Sequence, residues 1–354
     1  MKNIKLAGSD YNIGFQHGRA CREEIFISLT TYKGMFEALA GLQWEDVQEI
    51  AGRELERLSL LAPDCCEEIK GIAAGSGFSL LDIVALNIRS EILFSLGSRQ
   101  VTDGCTSIAV TPQYPGNGAM LLAQNWDWLQ SQHAACVVLE VTCEQGLTYL
   151  TVTEAGILAK VGFNTAGIGV CLNALSTGYG AEGIPVHFHL RQILRQERLS
   201  AAMDQVIKKP HACAAHYLIA SREGIAFGIE AAPSEVAVLN TENGILAHTN
   251  HLLHPRHSHT HDHTPKVMGA SSYIRLAALR RATSGGVELS RESIKRMLAN
   301  HDSHPEGVCQ HPTGAPGISG QIASVFSIVM NLEERSADIC LGNPCEGNYL
   351  RYQL

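Results

Sequence analysis

The chain has 354 residues, with 27 Lys plus Arg against 35 Asp plus Glu and a formal net charge of −8 when His is neutral. Charged residues make up 18% of it, below the ~25% usual for soluble domains, and hydrophobic residues 45%, so the chain buries a large core and intrinsic disorder is excluded. The acidic balance also excludes a sequence-independent nucleic-acid binder, which needs a basic face to displace phosphate counterions.

At about 150 residues per domain the length fits two domains or one large layered α/β unit. Lys2 and Lys5 are followed by no apolar stretch, and no window approaches about 18 uninterrupted apolar residues, so no membrane partner is expected. The first hundred residues read as mainly helical. Apolar positions recur at helical spacing through Ile25, Leu29, Tyr32, Met35, Phe36 and Leu39, and again through Val47, Ile50, Leu55, Leu58 and Leu61. Pro63 suits a first helical turn, and Ser79 with Asp82 resembles a capping box for a helix carrying Ile83, Val84, Leu86, Ile88, Ile92 and Leu93. The pattern changes near Thr102. Short β-rich runs follow at 107–110, 120–124, 136–141, 148–152 and 168–172, then a helical stretch over 186–208. Strands resume at 214–220, 225–231, 236–239 and 246–249, with Asn243-Gly244 as a hairpin-type turn. Helices are predicted over 273–282 and 291–298, and a terminal hairpin over 323–332 and 337–341. Sheets sandwiched by helices fit this order. Residues 253–266 and 307–320 read as surface loops.

Eleven cysteines are spread along the chain, with no Cys-x-x-Cys. This points to reduced thiols rather than a disulfide scaffold or zinc ribbon, and so to a cytoplasmic protein. The C-terminal Tyr352-Gln353-Leu354 is not a peroxisomal address. One cysteine stands out. In Asp103-Gly104-Cys105-Thr106-Ser107, at the seam between helical and β-rich segments, the thiol suits attack on the carbonyl of Gly104, whose lack of a side chain leaves room for a tetrahedral intermediate. An N-to-S acyl shift and hydrolysis then free the amino group of Cys105, which serves as base for its own thiol.

Several ordered segments surround this motif: Tyr11-Asn12-Ile13-Gly14-Phe15-Gln16-His17-Gly18, Glu68-Ile69-Lys70-Gly71-Ile72-Ala73-Ala74-Gly75, Leu86-Asn87-Ile88-Arg89-Ser90-Glu91, Gln124-Asn125-Trp126-Asp127-Trp128, Thr153-Glu154-Ala155-Gly156, Gly162-Phe163-Asn164-Thr165-Ala166-Gly167 and His248-Thr249-Asn250-His251. Together they resemble the acyl-coenzyme A:6-aminopenicillanic acid acyltransferase (isopenicillin-N acyltransferase) family of the N-terminal nucleophile hydrolases. The resemblance implies an α+β fold, an αββα four-layer sandwich with a mainly helical N-terminal segment, and autocatalytic cleavage between Gly104 and Cys105. Residues 1–104 then form an α-chain and 105–354 a β-chain that stay associated as one intertwined fold. It implies Cys105 as nucleophile, Asp127 as the residue positioning its amino group, and Asn250 near the reacting carbonyl. Asn173 resembles a second asparagine of the wider choloylglycine hydrolase group and is a further oxyanion candidate. The expected substrate is a small-molecule amide or acyl thioester, with no cofactor.

Two positions depart from the pattern. The acyltransferases carry an arginine after a late cysteine where this chain has Val308-Cys309-Gln310-His311, and the bile-salt group carries one where Gln124 stands. Loss of those charges leaves the thiol less acidified, unless His311 stands in. Arg89 and Glu91 form either a structural ion pair or a device orienting the scissile segment, and Trp126 and Trp128 read as packing residues. The alternatives are a hydrolase without acyl transfer, or a catalytically silent small-ligand or metal-binding protein. The latter would use His257, His259, His261 and His263, whose alternation places four imidazoles on one face of a strand.

Overall fold

A computed structural model describes residues 1–95, 104–263, 269–286 and 288–354; Asp103 and Thr102 lie outside the described residues. Strand β1 is Lys2–Gly8, followed by helices α1 (Asp10–Ala20), α2 (Arg22–Met35), α3 (Trp44–Leu61), α4 (Pro63–Ser76), α5 (Leu80–Asn87) and α6 (Arg89–Ser95). Then come β2 (Gly104–Val110), β3 (Leu121–Leu129), β4 (Cys136–Cys143), β5 (Thr148–Glu154), β6 (Val161–Asn164) and β7 (Ile168–Ala174), and helices α7 (Val186–Leu194) and α8 (Leu199–Ile207). The chain continues through β8 (Ala215–Ser221), β9 (Ile225–Ala232), β10 (Glu235–Asn240) and β11 (Ile245–His248) to α9 (Ser271–Ala282) and α10 (Arg291–Leu298). It ends with β12 (Ile322–Asn331), β13 (Ser336–Leu341) and β14 (Leu350–Gln353).

These strands form two sheets, ordered β1-β4-β5-β6-β7-β8-β9-β10 and β11-β2-β3-β12-β13-β14. The sheets meet where β2 and β3 cover β7, and their facing side chains share the main core. Helices α1, α2, α7 and α8 cover the outside of the larger sheet, while α9 and α10 cover the smaller one through a second core with Ile108, Val110, Leu121 and Ala123. The result is the expected αββα sandwich. No helix among the described residues is long and apolar enough to cross a membrane.

Strand β1 escapes sequence reading because only Leu6 of its seven residues is buried; a polar edge strand lacks the alternation that betrays others. Its partner, β4, pairs with it in parallel from Lys2 opposite Val137. The predicted helix over 186–208 is two helices, because Asn164 Nδ2 donates to the carbonyls of Leu194 (2.9 Å) and Gln196 (2.8 Å) and ends α7 there. Ser79 caps α5, its Oγ accepting from Leu81 N–H at 3.2 Å, but Asp82 accepts from Trp44 Nε1 and Gln48 Nε2 instead of closing a box. Asn243 and Gly244 both have positive φ (50° and 80°), as a tight hairpin turn demands, yet the strands on either side belong to different sheets.

Two of the quoted segments turn out to be a helix crossing. Gly14 and Gly18 on α1 meet Gly71 and Gly75 on α4 so closely that a Cβ on Gly14 would lie 1.9 Å from Glu68 O, and one on Gly71 2.1 Å from Tyr11 O. Others clamp the turn after β5: His17 Nε2 accepts from Gly156 N–H (3.1 Å), and Asn87 donates to Gly156 O (2.8 Å) and accepts from Leu158 N–H (2.9 Å). Burial lowers the His17 pKa to about 4, keeping the ring neutral as this acceptor role requires.

The histidine-rich segment differs from expectation. Pro255–His259 is a 3₁₀ turn, in which residues two apart diverge rather than align. His257 is buried with Nε2 3.3 Å from Glu230 O, and the His261 and His263 rings meet edge-on at 5.9 Å. The four imidazoles therefore do not share a face. The segment over 307–320 is likewise not all surface, since Val308, Cys309 and Gln310 are buried.

Candidate active site

Cys105 is the second residue of β2, directly opposite Trp126 on β3, and it is buried. Alternation along β2 sends Cys105, Ser107 and Ala109 toward the larger sheet, and Thr106, Ile108 and Val110 toward the outer helices; accordingly Cys105 and Ala109 belong to the inter-sheet core and Ile108 and Val110 to the outer one.

The backbone of Cys105 is gripped on both sides. Its N–H donates to Asn250 Oδ1 at 2.8 Å, and its carbonyl accepts from Arg275 Nη1 at 2.7 Å. Arg275 also donates from Nη1 to Thr106 Oγ1 (3.0 Å) and from Nη2 to Asn250 Oδ1 (2.9 Å). Asn250 is fixed in turn, its Nδ2 donating to Ala174 O (3.0 Å) and its N–H to Ser272 Oγ (2.8 Å). Sequence reading missed Arg275. Its signal was a charged residue on the buried stripe Ser272, Arg275, Leu276, Leu279 of α9, where a cation needs a specific partner. A positive charge thus reaches the Cys105 carbonyl from a helix on the outer layer.

Asp127 on β3 pairs with Gly104 on β2, and its Oδ1 accepts from Ser324 Oγ at 2.6 Å. A Cβ on Gly104 would lie 2.9 Å from Asp127 Cβ and 3.0 Å from both Asp127 Oδ2 and Gln310 Oε1, so this close approach requires glycine before Cys105. Gln310 therefore stands against Gly104, with its N–H on Ser324 Oγ (3.0 Å), whereas His311 turns toward Cys309, Cys345 and His301. Gln124 exchanges two hydrogen bonds of 2.8 Å with the backbone of Leu172, tying β3 to β7 across the sheets.

Asn173 lies one residue beyond Leu172. Its Oδ1 accepts from Ser107 Oγ (2.6 Å) and faces His216 Nδ1 (2.9 Å), and its Nδ2 donates to His248 O (3.3 Å). His216 stacks on His248 at 3.6 Å, and His248 Nε2 lies 2.9 Å from Glu230 Oε1. Asn173 thereby joins Ser107 to a buried polar chain and fixes the segment that leads into Asn250. Asn125 holds the end of α10 and Val308 through the carbonyls of Leu298 and Val308, each at 2.8 Å.

Behind Trp126 is a buried ion cluster. Glu154 accepts from the Tyr32 hydroxyl, from Arg89 Nη2 (3.1 Å) and from Lys160 Nζ (2.9 Å), and Lys160 Nζ lies 3.2 Å from the centroid of the Trp126 ring. Arg89 therefore pairs with Glu154, not Glu91, which instead accepts from Val186 N–H at 2.9 Å. Trp126 and Trp128 are buried packing residues as expected.

Replacing Arg275 by Met removes the donors to Cys105 O, Thr106 and Asn250 at once. Charge-assisted hydrogen bonds are worth about 1.5–3 kcal/mol each, so urea unfolding is expected to show a loss of at least about 2 kcal/mol, with Arg275→Lys intermediate because an ammonium cannot reproduce the fork.

A profile of the family described as acyl-coenzyme A:6-aminopenicillanic acid acyl-transferase matches residues 114–346. The 40 kDa form of acyl-coenzyme A:6-aminopenicillanic-acid-acyltransferase of Emericella nidulans is 30% identical over 351 residues, 97% of this chain and 93% of that protein. Among solved structures, a Caenorhabditis elegans ortholog of N-acylethanolamine-hydrolyzing acid amidase superposes with a TM-score of 0.45 at 16% identity, over 65% of this chain and 93% of that one. A mutant of the conjugated bile acid hydrolase from Clostridium perfringens gives 0.47 at 12% identity, over 71% and 97%.

Proposed function

The chain belongs to the acyl-coenzyme A:6-aminopenicillanic acid acyltransferase family, and on that premise we propose that it is a self-processing cysteine amidohydrolase or acyltransferase with Cys105 as its nucleophile. Cleavage between Gly104 and Cys105 leaves residues 1–104 and 105–354 associated and frees the Cys105 amine. The observation that carries this reading is the grip on Cys105 itself: Asn250 Oδ1 on its nitrogen and Arg275 on its carbonyl, at the head of a buried strand.

With the amine free, Asn250 Oδ1 accepts one N–H and fixes the nitrogen so that its lone pair faces the thiol of the same residue. An α-amine with an ordinary pKa near ~7.7–8.0 is then matched to accept the thiol proton and return it to the leaving group. Asp127, which pairs with Gly104 across the strand pair, holds the amine in its protonated phase. The second hydrogen of Asn250 Nδ2 serves the oxyanion, a contribution of about 2.7–4 kcal/mol for one donor in a site closed to water. Asn173, engaged with Ser107, supports this geometry from two residues away. The S-acyl enzyme passes its acyl group to water or to an amine, and the donor is a linear amide or an acyl thioester.

Incubation with an acyl thioester tests this. The expected result is a single acyl mass increment on residues 105–354, followed by release of free acid, or of a new amide when an amine is added. Turnover without any acylated Cys105 would overturn the covalent mechanism.

A further inference from the structure

Three segments distant in sequence converge: His301 after α10, the strap Cys309-Gln310-His311, and Cys345 after β13. Their ligand atoms all lie within 4.8 Å of one another. Cys309 Sγ is 3.5 Å from Cys345 Sγ and 3.5 Å from His311 Nε2. Cys345 Sγ is 3.4 Å from His311 Nε2, which is 3.2 Å from His301 Nε2.

Those four separations are close to four of the six edges of a coordination tetrahedron, and the two remaining, from His301 to the sulfurs, are within 4.8 Å. With metal bonds of about 2.3 Å to sulfur and about 2.05 Å to imidazole nitrogen, a tetrahedral zinc ion requires about 3.8 Å between sulfurs, about 3.3 Å between nitrogens and about 3.5 Å between unlike ligands. We propose that His301, Cys309, His311 and Cys345 form a Cys₂His₂ site for a divalent metal ion, zinc by ligand chemistry. Two thiolates with two imidazoles favour zinc over magnesium or calcium, which take oxygen ligands. Four protein ligands close the coordination sphere, so the site is structural rather than a seat for substrate.

The surroundings fit. Cys309 is buried, and Asn343 Nδ2 approaches its sulfur at 3.5 Å while donating to Gln310 O at 2.6 Å, the kind of outer-shell donor that orients a thiolate ligand. The sulfurs are far beyond the ~2.05 Å of a disulfide, and a disulfide would leave His301 and His311 converging on nothing. Gln310, flanked by two of the ligands, is the residue whose Oε1 lies against Gly104 and whose N–H meets the serine that holds Asp127. A metal here clamps that strap against the strand that carries Cys105.

The test uses the full chain, purified under reducing conditions and dialysed without a strong chelator. Elemental analysis is expected to find one zinc per chain, and cobalt exchanged into the site to show thiolate charge transfer with the strong visible absorption of tetrahedral cobalt. Cys345→Ser, at an exposed position, is expected to weaken zinc binding at least about 100-fold and to alter the charge-transfer band. Cys309→Ser should do the same, while replacing His257, His259, His261 and His263 together by Asn should leave both unchanged. Metal-free protein whose cobalt spectrum lacks thiolate character would overturn the proposal. So would zinc lost with the histidine loop and kept without Cys345, or a Cys309–Cys345 disulfide in metal-free protein mapped under non-reducing conditions. Each readout is metal content, a spectrum or the disulfide state, independent of acyl chemistry.

Discussion

Cys105→Ala is expected to remain one chain of 354 residues, while the wild type separates in denaturing mass spectrometry into residues 1–104 and 105–354. Cleavage by this route needs a nucleophile on the residue that follows the scissile carbonyl. Its sulfur adds to the Gly104 carbonyl, the C–N bond breaks as the nitrogen takes a proton, and water then hydrolyses the Gly104 thioester to a carboxylate. Alanine has no atom that can add. It does keep the backbone N–H that Asn250 holds at 2.8 Å and the carbonyl that Arg275 holds at 2.7 Å, so the fold around position 105 is retained and the comparison isolates chemistry. Cys105→Ser, a weaker nucleophile, is expected to cleave slowly. Acyl transfer should vanish in Cys105→Ala. A wild-type protein that stays uncut and still turns over substrate would remove the free amine from the mechanism.

Glu154→Gln is expected to destabilise the protein by about 3–5 kcal/mol, because it leaves Arg89 and Lys160 buried together without their counter-charge. Burial alone would raise the Glu154 pKa. The charges of Arg89 and Lys160 and the Tyr32 hydroxyl outweigh burial and hold it at about 2. A carboxylate whose folded pKa lies below its unfolded value contributes stability above the unfolded pKa, and that contribution disappears as pH falls to the folded one. The gap between wild type and Glu154→Gln in denaturant midpoints should therefore be full at about pH 6 and shrink as pH falls from about 4.5 toward about 2. A second change, Lys160→Met in the Glu154→Gln background, should recover part of the loss, since it removes one uncompensated cation. A gap independent of pH would mean that shape, not charge, carries the effect.

These two experiments rest on residues of different legibility. Cys105 was only weakly marked by its local glycine, thiol and small hydroxyl residues, and became visible through the ordered family segments around it. The order of helices and strands was visible locally, since periodicity and turn residues act over a few positions. Polar β1 and the break within 186–208 were not, because partners remote in sequence decide them, as Asn164 decides the end of α7. Glu154 could be seen as part of a family segment, but its pairing with Arg89 rather than any charge on its own strand depends on how the helical layer packs.

By itself the sequence determined the family, the four-layer architecture and the position of the candidate nucleophile. Only the tertiary structure decided what surrounds that thiol. It brought Arg275 from an outer helix to the Cys105 carbonyl, placed neutral Gln310 at Gly104, dispersed the four loop histidines, and gathered His301, Cys309, His311 and Cys345 into one cluster. The reason is physical: local pattern fixes which face of an element is buried, whereas the approach of two charged or ligating groups depends on how segments distant along the chain pack together.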